Sequence, residues 1–353
     1  MWLQRGIPFT VCPLTVRETR SYCEAIRIAH GKGRAVPQVR FGLAIKNFTA
    51  HPETPDFAEI RSYAGRAESL GFDSLWAWDH VMLGSKNPFP FLESLSTLAA
   101  LAAVTERVEL GTGVLVLPLR NPVVLAKVTS SLDQVCGGRL VLGVAAGWYE
   151  REFEAVGVSF AQRGRIFERN LAVLERFWTE DAVTGEADGM TFRNAVMLPK
   201  PARRPRPKVL IGGYVDRVLR RAATRGDGWI TYFYTADGFR TSWAKVRRFA
   251  EEAGRDPDGL ENVAQLPICV DDSYEKADRR AREFVDRYFD CPPWSDSTPD
   301  SAIRGTPEQC AEQLAAHAGA GVQHVALVPW EYSAEQVDAI AADVLPMLTA
   351  GAA

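Results

Sequence analysis

The chain has 353 residues, of which 24% are charged and 46% hydrophobic, and its formal net charge is −3. That length accommodates one large domain or two ordinary ones, and the composition is that of a globular protein. A near-balanced charge without basic runs argues against a nucleic-acid or acidic-membrane partner, and no apolar stretch approaches the roughly 20 residues that span a bilayer.

The six cysteines (Cys12, Cys23, Cys136, Cys269, Cys291 and Cys310) are scattered, with no C-x-x-C pair and no zinc-ligand spacing. They read as reduced thiols of a cytoplasmic protein, and no metal site is expected. Residues 1–38 have no clear period and end in a Gly/Lys/Arg/Pro-rich run, "HGKGRAVPQ". We expect them to be a poorly ordered extension, with the true start of the protein near Val39, where a strand pattern begins abruptly. Residues 39–350 then form one domain.

From Val39 onward, short apolar runs alternate with amphipathic stretches. The runs at 39–45, 73–78, 108–116, 140–146, 208–212, 228–232, 263–270 and 323–329 predict strands buried on both faces, as in a parallel sheet covered by helices. Helical periodicity fills 56–70, 92–104, 122–135, 163–178, 215–225, 237–254, 273–289, 307–319 and 334–349. Asp56, Thr306 and Ser333 predict N-caps, and Gly71 a helix stop.

Eight strand-then-helix units predict either a closed barrel or an open doubly wound sheet. The open sheet's nucleotide fingerprint is missing: "GTGVLV" at 111–116 has Val116 where the last glycine belongs, and no P-loop occurs. The expected fold is therefore α/β, a (β/α)8 TIM barrel with Pro-rich insertions at 179–207 and 290–305 serving as lids or edge loops.

In such a barrel the chemistry lies at the carboxyl ends of the strands. Those ends read Asn47, Phe48, Trp78-Asp79-His80, Gly113-Val114 with Val116 beyond, Ala146-Gly147-Trp148, Gly212-Gly213-Tyr214, Tyr232 and Pro329-Trp330. No carboxylate pair for glycoside hydrolysis, nucleophile elbow or histidine cluster is among them. A rim of glycine, alanine and aromatic residues suits a flat apolar ring with a phosphate tail.

Several stretches in order carry a resemblance to the bacterial luciferase-like superfamily: "FDSLWAWDHV", "ERVELGTGVLVLPLRNPVVLAK", "LDQVCGGRLVLGVAAGWYEREFEAVGVSFAQRGR", "LPKPARRPRPKVLIGG", "GDGWI" and "RGTPEQCAEQLAAHAGAGVQHVALVP". The resemblance implies a (β/α)8 barrel binding reduced FMN or the deazaflavin coenzyme F420. Asp79 and His80 match the family's Asp-His beside the cofactor. It further implies a non-proline cis peptide at Gly113-Val114 against the cofactor ring. Val116, Ala146, Gly147 and Trp148 become the neighbouring wall, with Gly147 letting backbone approach the cofactor. Gly212, Gly213 and Tyr214, at a helix N-terminus, become the phosphate site. Arg217 and Arg220, farther along that helix, are placed to help there, but read first as solvated face residues.

His80 is the one histidine at a strand end before a loop and is the candidate proton carrier. Plain structural roles stand beside these: a strand-end glycine and core tryptophan at 147–148, and a His80 bonded to Asp79 or to backbone. Three functions follow from the resemblance. The first is a monooxygenase using reduced FMN and O2 on a small organic substrate, with a separate flavin reductase and with Trp78, Trp148, Tyr232 and Trp330 keeping the pocket dry. The second is an F420-dependent dehydrogenase or reductase; the sugar-phosphate branch is disfavoured because Trp148 stands where that branch carries a glutamate. The third is a flavin-binding protein without turnover. The family's habit implies a homodimer formed through early helices.

Overall fold

The apolar runs are too short and too uniformly hydrophobic to be surface strands, and they pair side by side as parallel strands around a common axis. The structure, a computed structural model, describes residues 39–84, 88–289 and 299–349; the expected extension, 1–38, lies outside them. Strands β1 (Arg40–Ala44), β2 (Ser74–Ala77), β3 (Glu109–Val116) and β4 (Leu140–Ala145) form one half of the wall. The other half consists of β7 (Lys208–Gly212), β8 (Gly228–Tyr232), β9 (Glu261–Val270) and β11 (His324–Pro329). The order β9-β11-β1-β2-β3-β4-β7-β8 closes through β8 pairing with β9, and every pairing is parallel. This is the expected eight-stranded barrel.

Between α5 (Arg163–Thr179) and β7, the first insertion is an antiparallel hairpin, β5 (Val183–Ala187) and β6 (Met190–Ala195). It is anchored where Phe192 meets Phe177 edge-on at 5.2 Å, and it contributes no residue to the cavity described below. It is an edge element and not a lid. In the second insertion, residues 290–298 lie outside the description, and β10 (Ile303–Gly305) adds a short parallel strand to β9 outside the barrel.

The helices form a ring around the sheet. α1 (Phe57–Ser69) is capped by the Asp56 side chain, which accepts from the Ala58 amide. α2 (Ser94–Ala102), α3 (Pro122–Val135) and a short α4 (Glu150–Ala155) follow. On α5, buried Ile166, Phe167, Leu171, Leu174, Phe177 and Trp178 recur at helical spacing, and each such side chain contributes roughly 1.5–3 kcal/mol by leaving water. α6 (Asp216–Arg225), α7 (Ala236–Glu252) and α8 (Tyr274–Phe289) complete the succession, with α9 (Pro307–Gly319) carrying a full capping box from Thr306 and Gln309. The last helix, expected unbroken, changes to a π-turn at Ile340–Val344.

Inside the barrel, Trp76, Val114, Val141, Leu210, Ile230, Val263 and Ala326 make a separate apolar plug. Trp76 lies against Gly111, where an added Cβ would come within 2.3 Å of its ring. Below the plug, the first residues of four strands form an ion-pair network. Arg40 reaches Glu109 at 2.8 Å and Glu261 at 3.1 Å, and Lys208 reaches Glu261 at 2.6 Å. That end is shut.

Candidate functional site

The opposite end is open. There the strand ends surround a cavity of about 260 Å³, and every residue assigned from sequence to the cofactor or to proton transfer lines it: Asp79, His80, Gly113, Val114, Val116, Ala146, Gly147, Trp148, Gly212, Gly213 and Tyr214. Trp78 and Tyr232 also line it. Trp330 does not; its ring instead takes the Arg280 guanidinium at 4.8 Å.

The wall owes its shape to a bulge. Thr112 pairs with Leu142 and Leu115 with Val144, so Gly113 and Val114 together face a single residue of β4. Their peptide bond is cis. A Cβ on Gly113 would come within 2.7 Å of the buried Gln265 side chain. Asp79 holds the far side of this bulge. Its Oδ2 accepts from the Val116 amide at 2.9 Å, and its Oδ1 from Ser94 at 2.9 Å and Arg120 at 2.6 Å. With its oxygens so engaged, Asp79 shapes the wall and does not offer a free charge to the cavity.

His80 is not bonded to Asp79. Its Nδ1 lies 2.9 Å from Glu152 Oε2, and Glu152 Oε1 accepts from the amides of Val81 at 2.6 Å and Met82 at 3.1 Å. Glu152 is 1% exposed. A carboxylate accepting from three N–H groups fixes the proton on Nδ1 and leaves Nε2 as the ring nitrogen available for exchange. Phe91 and Trp148 meet the imidazole edge-on, at 5.4 and 5.8 Å between ring centroids.

Gly147 has a more specific cause than closeness to a ligand. It has φ +82°, and a Cβ there would lie 2.7 Å from Val116 Cγ1 and 2.9 Å from the Phe153 ring. The glycine is required by the packing of β3 against α4, and that packing turns Trp148 toward His80. Gly213, with φ +144°, is similar: a Cβ would meet Val218 at 2.8 Å, and its carbonyl accepts from Trp229 Nε1 at 2.9 Å.

At this side of the mouth, α6 starts at an N-cap, Val215, whose side chain makes no capping bond. Arg163, Gly164, Arg217 and Arg221 also line the cavity here. Arg217 is exposed, as expected of a solvated face residue, yet it also lines the cavity, whereas Arg220 pairs on the surface with Glu252 at 2.8 Å. The donor set is therefore graded across β3 and β4: an imidazole with aromatic neighbours by β2, small apolar residues in the middle, and guanidinium groups with first-turn amides by β7. Burial pushes the Tyr232 phenol up, so it serves as a neutral group. A flat, mostly apolar ring carrying a phosphate fits this gradient, with the phosphate at the arginines.

Sequence reasoning missed Glu152, Arg163, Arg221 and the contribution of Tyr288 from distant α8. Glu152 is one of three carboxylates in "EREFEA", and only its place on the inward face of α4 distinguishes it from Glu150 and Glu154.

The family model described as luciferase-like monooxygenase matches residues 39–324. An uncharacterized protein of Mycobacterium tuberculosis is 33% identical over 216 residues, 57% of this chain and 74% of that protein. An FMNH2-dependent dimethylsulfone monooxygenase of Pseudomonas putida is 26% identical over 350 residues, 89% of this chain and 93% of its own. An F420-dependent glucose-6-phosphate dehydrogenase of Amycolatopsis mediterranei is 25% identical over 323 residues, covering 83% and 95%. Among solved structures, a monooxygenase from Streptomyces bottropensis superposes with a TM-score of 0.76 at 22% identity, over 88% of this chain and 99% of that one.

Proposed function

The chain belongs to the luciferase-like monooxygenase family, and on that premise we propose that it is an oxidoreductase whose open barrel end holds the ring of a reduced flavin or 5-deazaflavin. The observation that carries the reading is the gradient of the cavity, from a carboxylate-oriented imidazole at His80 to guanidinium groups at Arg163, Arg217 and Arg221. Val114, Val116, Ala145 and Ala146 are the small apolar residues against which a flat ring lies; the arginines and the first turn of α6 take its phosphate. Bound there, such a cofactor supplies two electrons, as a hydride or, for a flavin, by activating O2.

The protein's own part is binding, orientation and proton handling. Trp78, Trp148, Phe48, Phe91 and Tyr232 exclude water from the space beside the ring. Nε2 of His80 takes up or returns the proton that accompanies oxidation or reduction of a small organic substrate. In the FMN form, the protein depends on a separate flavin reductase for its reduced cofactor; in the F420 form, it would need no such partner.

Fluorescence titration of the purified protein with reduced FMN and, separately, with F420 tests the reading. Saturable binding of one of them, followed by turnover over an alcohol, aldehyde, ketone and sulfone panel, is the expected result. If neither cofactor binds, the proposal fails; if one binds without any turnover, the protein is a cofactor binder and His80 has no catalytic part.

A further inference from the structure

Beside the cavity lies a second hollow of about 500 Å³, walled by the start of α5 and the first turns of α6. Arg163, Gly164, Arg217 and Arg221 belong to both, so the groove runs on from the basic end of the cavity toward solvent. At the junction the chain is bare: a Cβ on Gly164 would stand 3.8 Å from Arg221 Nη2 and 3.9 Å from Arg217 Nη2.

The charge balance of this groove is unusual for the molecule. Its ionisable lining is Arg163, Arg165, Arg217 and Arg221 against Glu168 alone. Elsewhere on these two helices arginines are matched: Arg176 with Glu180, Arg220 with Glu252 and Arg225 with Glu175. In the groove, Glu168 is given to Arg221, and Arg165 leans on Asp188 at 3.4 Å. Arg163 lies 3.9 Å over the Phe160 ring and donates to the Phe160 carbonyl. Among the described residues, neither Arg163 nor Arg217 has a carboxylate partner. A cationic excess on a chain of net charge −3, set in a hollow of about 500 Å³ that adjoins the cavity, is suited to an anion that continues beyond that phosphate.

We propose that this groove receives a polyanionic tail extending from the phosphate of the molecule in the cavity. The inference rests on the cofactor reading above and selects within it. FMN ends at its phosphate, whereas F420 continues through a lactyl group into a chain of glutamates, so the groove assigns F420 to this protein.

The test compares F420 bearing its oligoglutamyl chain, F420 trimmed back to the phospholactyl group, and reduced FMN. Each is titrated into the full-length protein at low and moderate salt. Full F420 is expected to bind about tenfold tighter than the trimmed form, with the steeper salt dependence. Arg165→Glu, which alters the groove and not the cavity, is expected to remove most of that advantage while leaving the trimmed form's affinity unchanged. Equal affinity for the full and trimmed forms overturns the inference, as does tighter binding of FMN than of full F420; both leave the cofactor reading standing. Failure of all three to bind overturns both.

Discussion

His80 and His324 sit at opposite ends of one barrel, and their surroundings differ in every respect that governs imidazole chemistry. His324 begins β11 at the shut end, 1% exposed. Its Nε2 lies 2.8 Å from Ser74 Oγ, which also accepts from Trp76 Nε1 at 2.7 Å, and its Nδ1 has no partner among the described residues. Burial, and then the positive charges of Arg40 and Lys208, push its pKa well below the usual value. His80 lies in the loop after β2 at the open end, with a carboxylate on one nitrogen and a cavity before it. The shut end holds its histidine neutral; the open end sets its histidine on the wall of a cavity, with one ring nitrogen on a carboxylate. The same strand-to-helix repeat thus closes one rim with ion pairs and leaves a cavity at the other.

The largest way to break this contrast is His80→Ala. Turnover is expected to fall by about 10²–10⁴-fold, while cofactor affinity stays nearly unchanged; equal losses of rate and affinity would make His80 part of the binding wall only. Gly213→Val attacks the other side of the mouth. It forces a Cβ against Val218 at a positive φ, at a cost of about 2–4 kcal/mol. Lost cofactor binding in a protein still folded by circular dichroism is the expected outcome, and retained affinity would detach the phosphate from α6.

Glu152→Gln sharpens the comparison. Glutamine keeps an oxygen for the amides of Val81 and Met82 but turns its NH2 toward Nδ1, reversing the tautomer of His80. We expect kcat to drop about 10–100-fold with KM and melting temperature little changed, and imidazole ¹⁵N shifts to report the exchanged tautomer. A parallel fall in thermal stability without a kcat effect would reduce Glu152 to a loop clamp. The smallest effect is at the shut end. Because His324 is held neutral when folded, its contribution is complete above about pH 6.5, where the unfolded imidazole is neutral too, and declines as pH falls below that value. The slope is at most about 1.4 kcal/mol per pH unit. Urea midpoints at pH 7.5, 6.0 and 5.0 should show it, and His324→Gln should flatten it with activity unaffected.

The strands, most helices and the caps at Asp56, Thr306 and Ser333 were legible because each depends on neighbours close in the chain: apolar runs, helical spacing, a hydroxyl or carboxylate before a first turn. The strand-end residues were legible as a set because a closed parallel barrel brings all eight carboxyl ends to one rim. The reason for Gly147 was not. The sequence has a glycine before a tryptophan; that Val116 and Phe153 press on it from two other elements is a fact of packing.

By itself, then, the order of residues determined the repeat, the barrel and the set of strand ends that line the cavity, because period and strand direction are local properties that closure multiplies eightfold. Tertiary structure alone decided which carboxylate of α4 meets His80, which arginines line the cavity without a carboxylate partner, and which end Trp76 and the ion pairs shut. Those outcomes depend on side chains from elements far apart in the chain meeting at distances of a few ångströms, and no spacing along the chain encodes such a meeting.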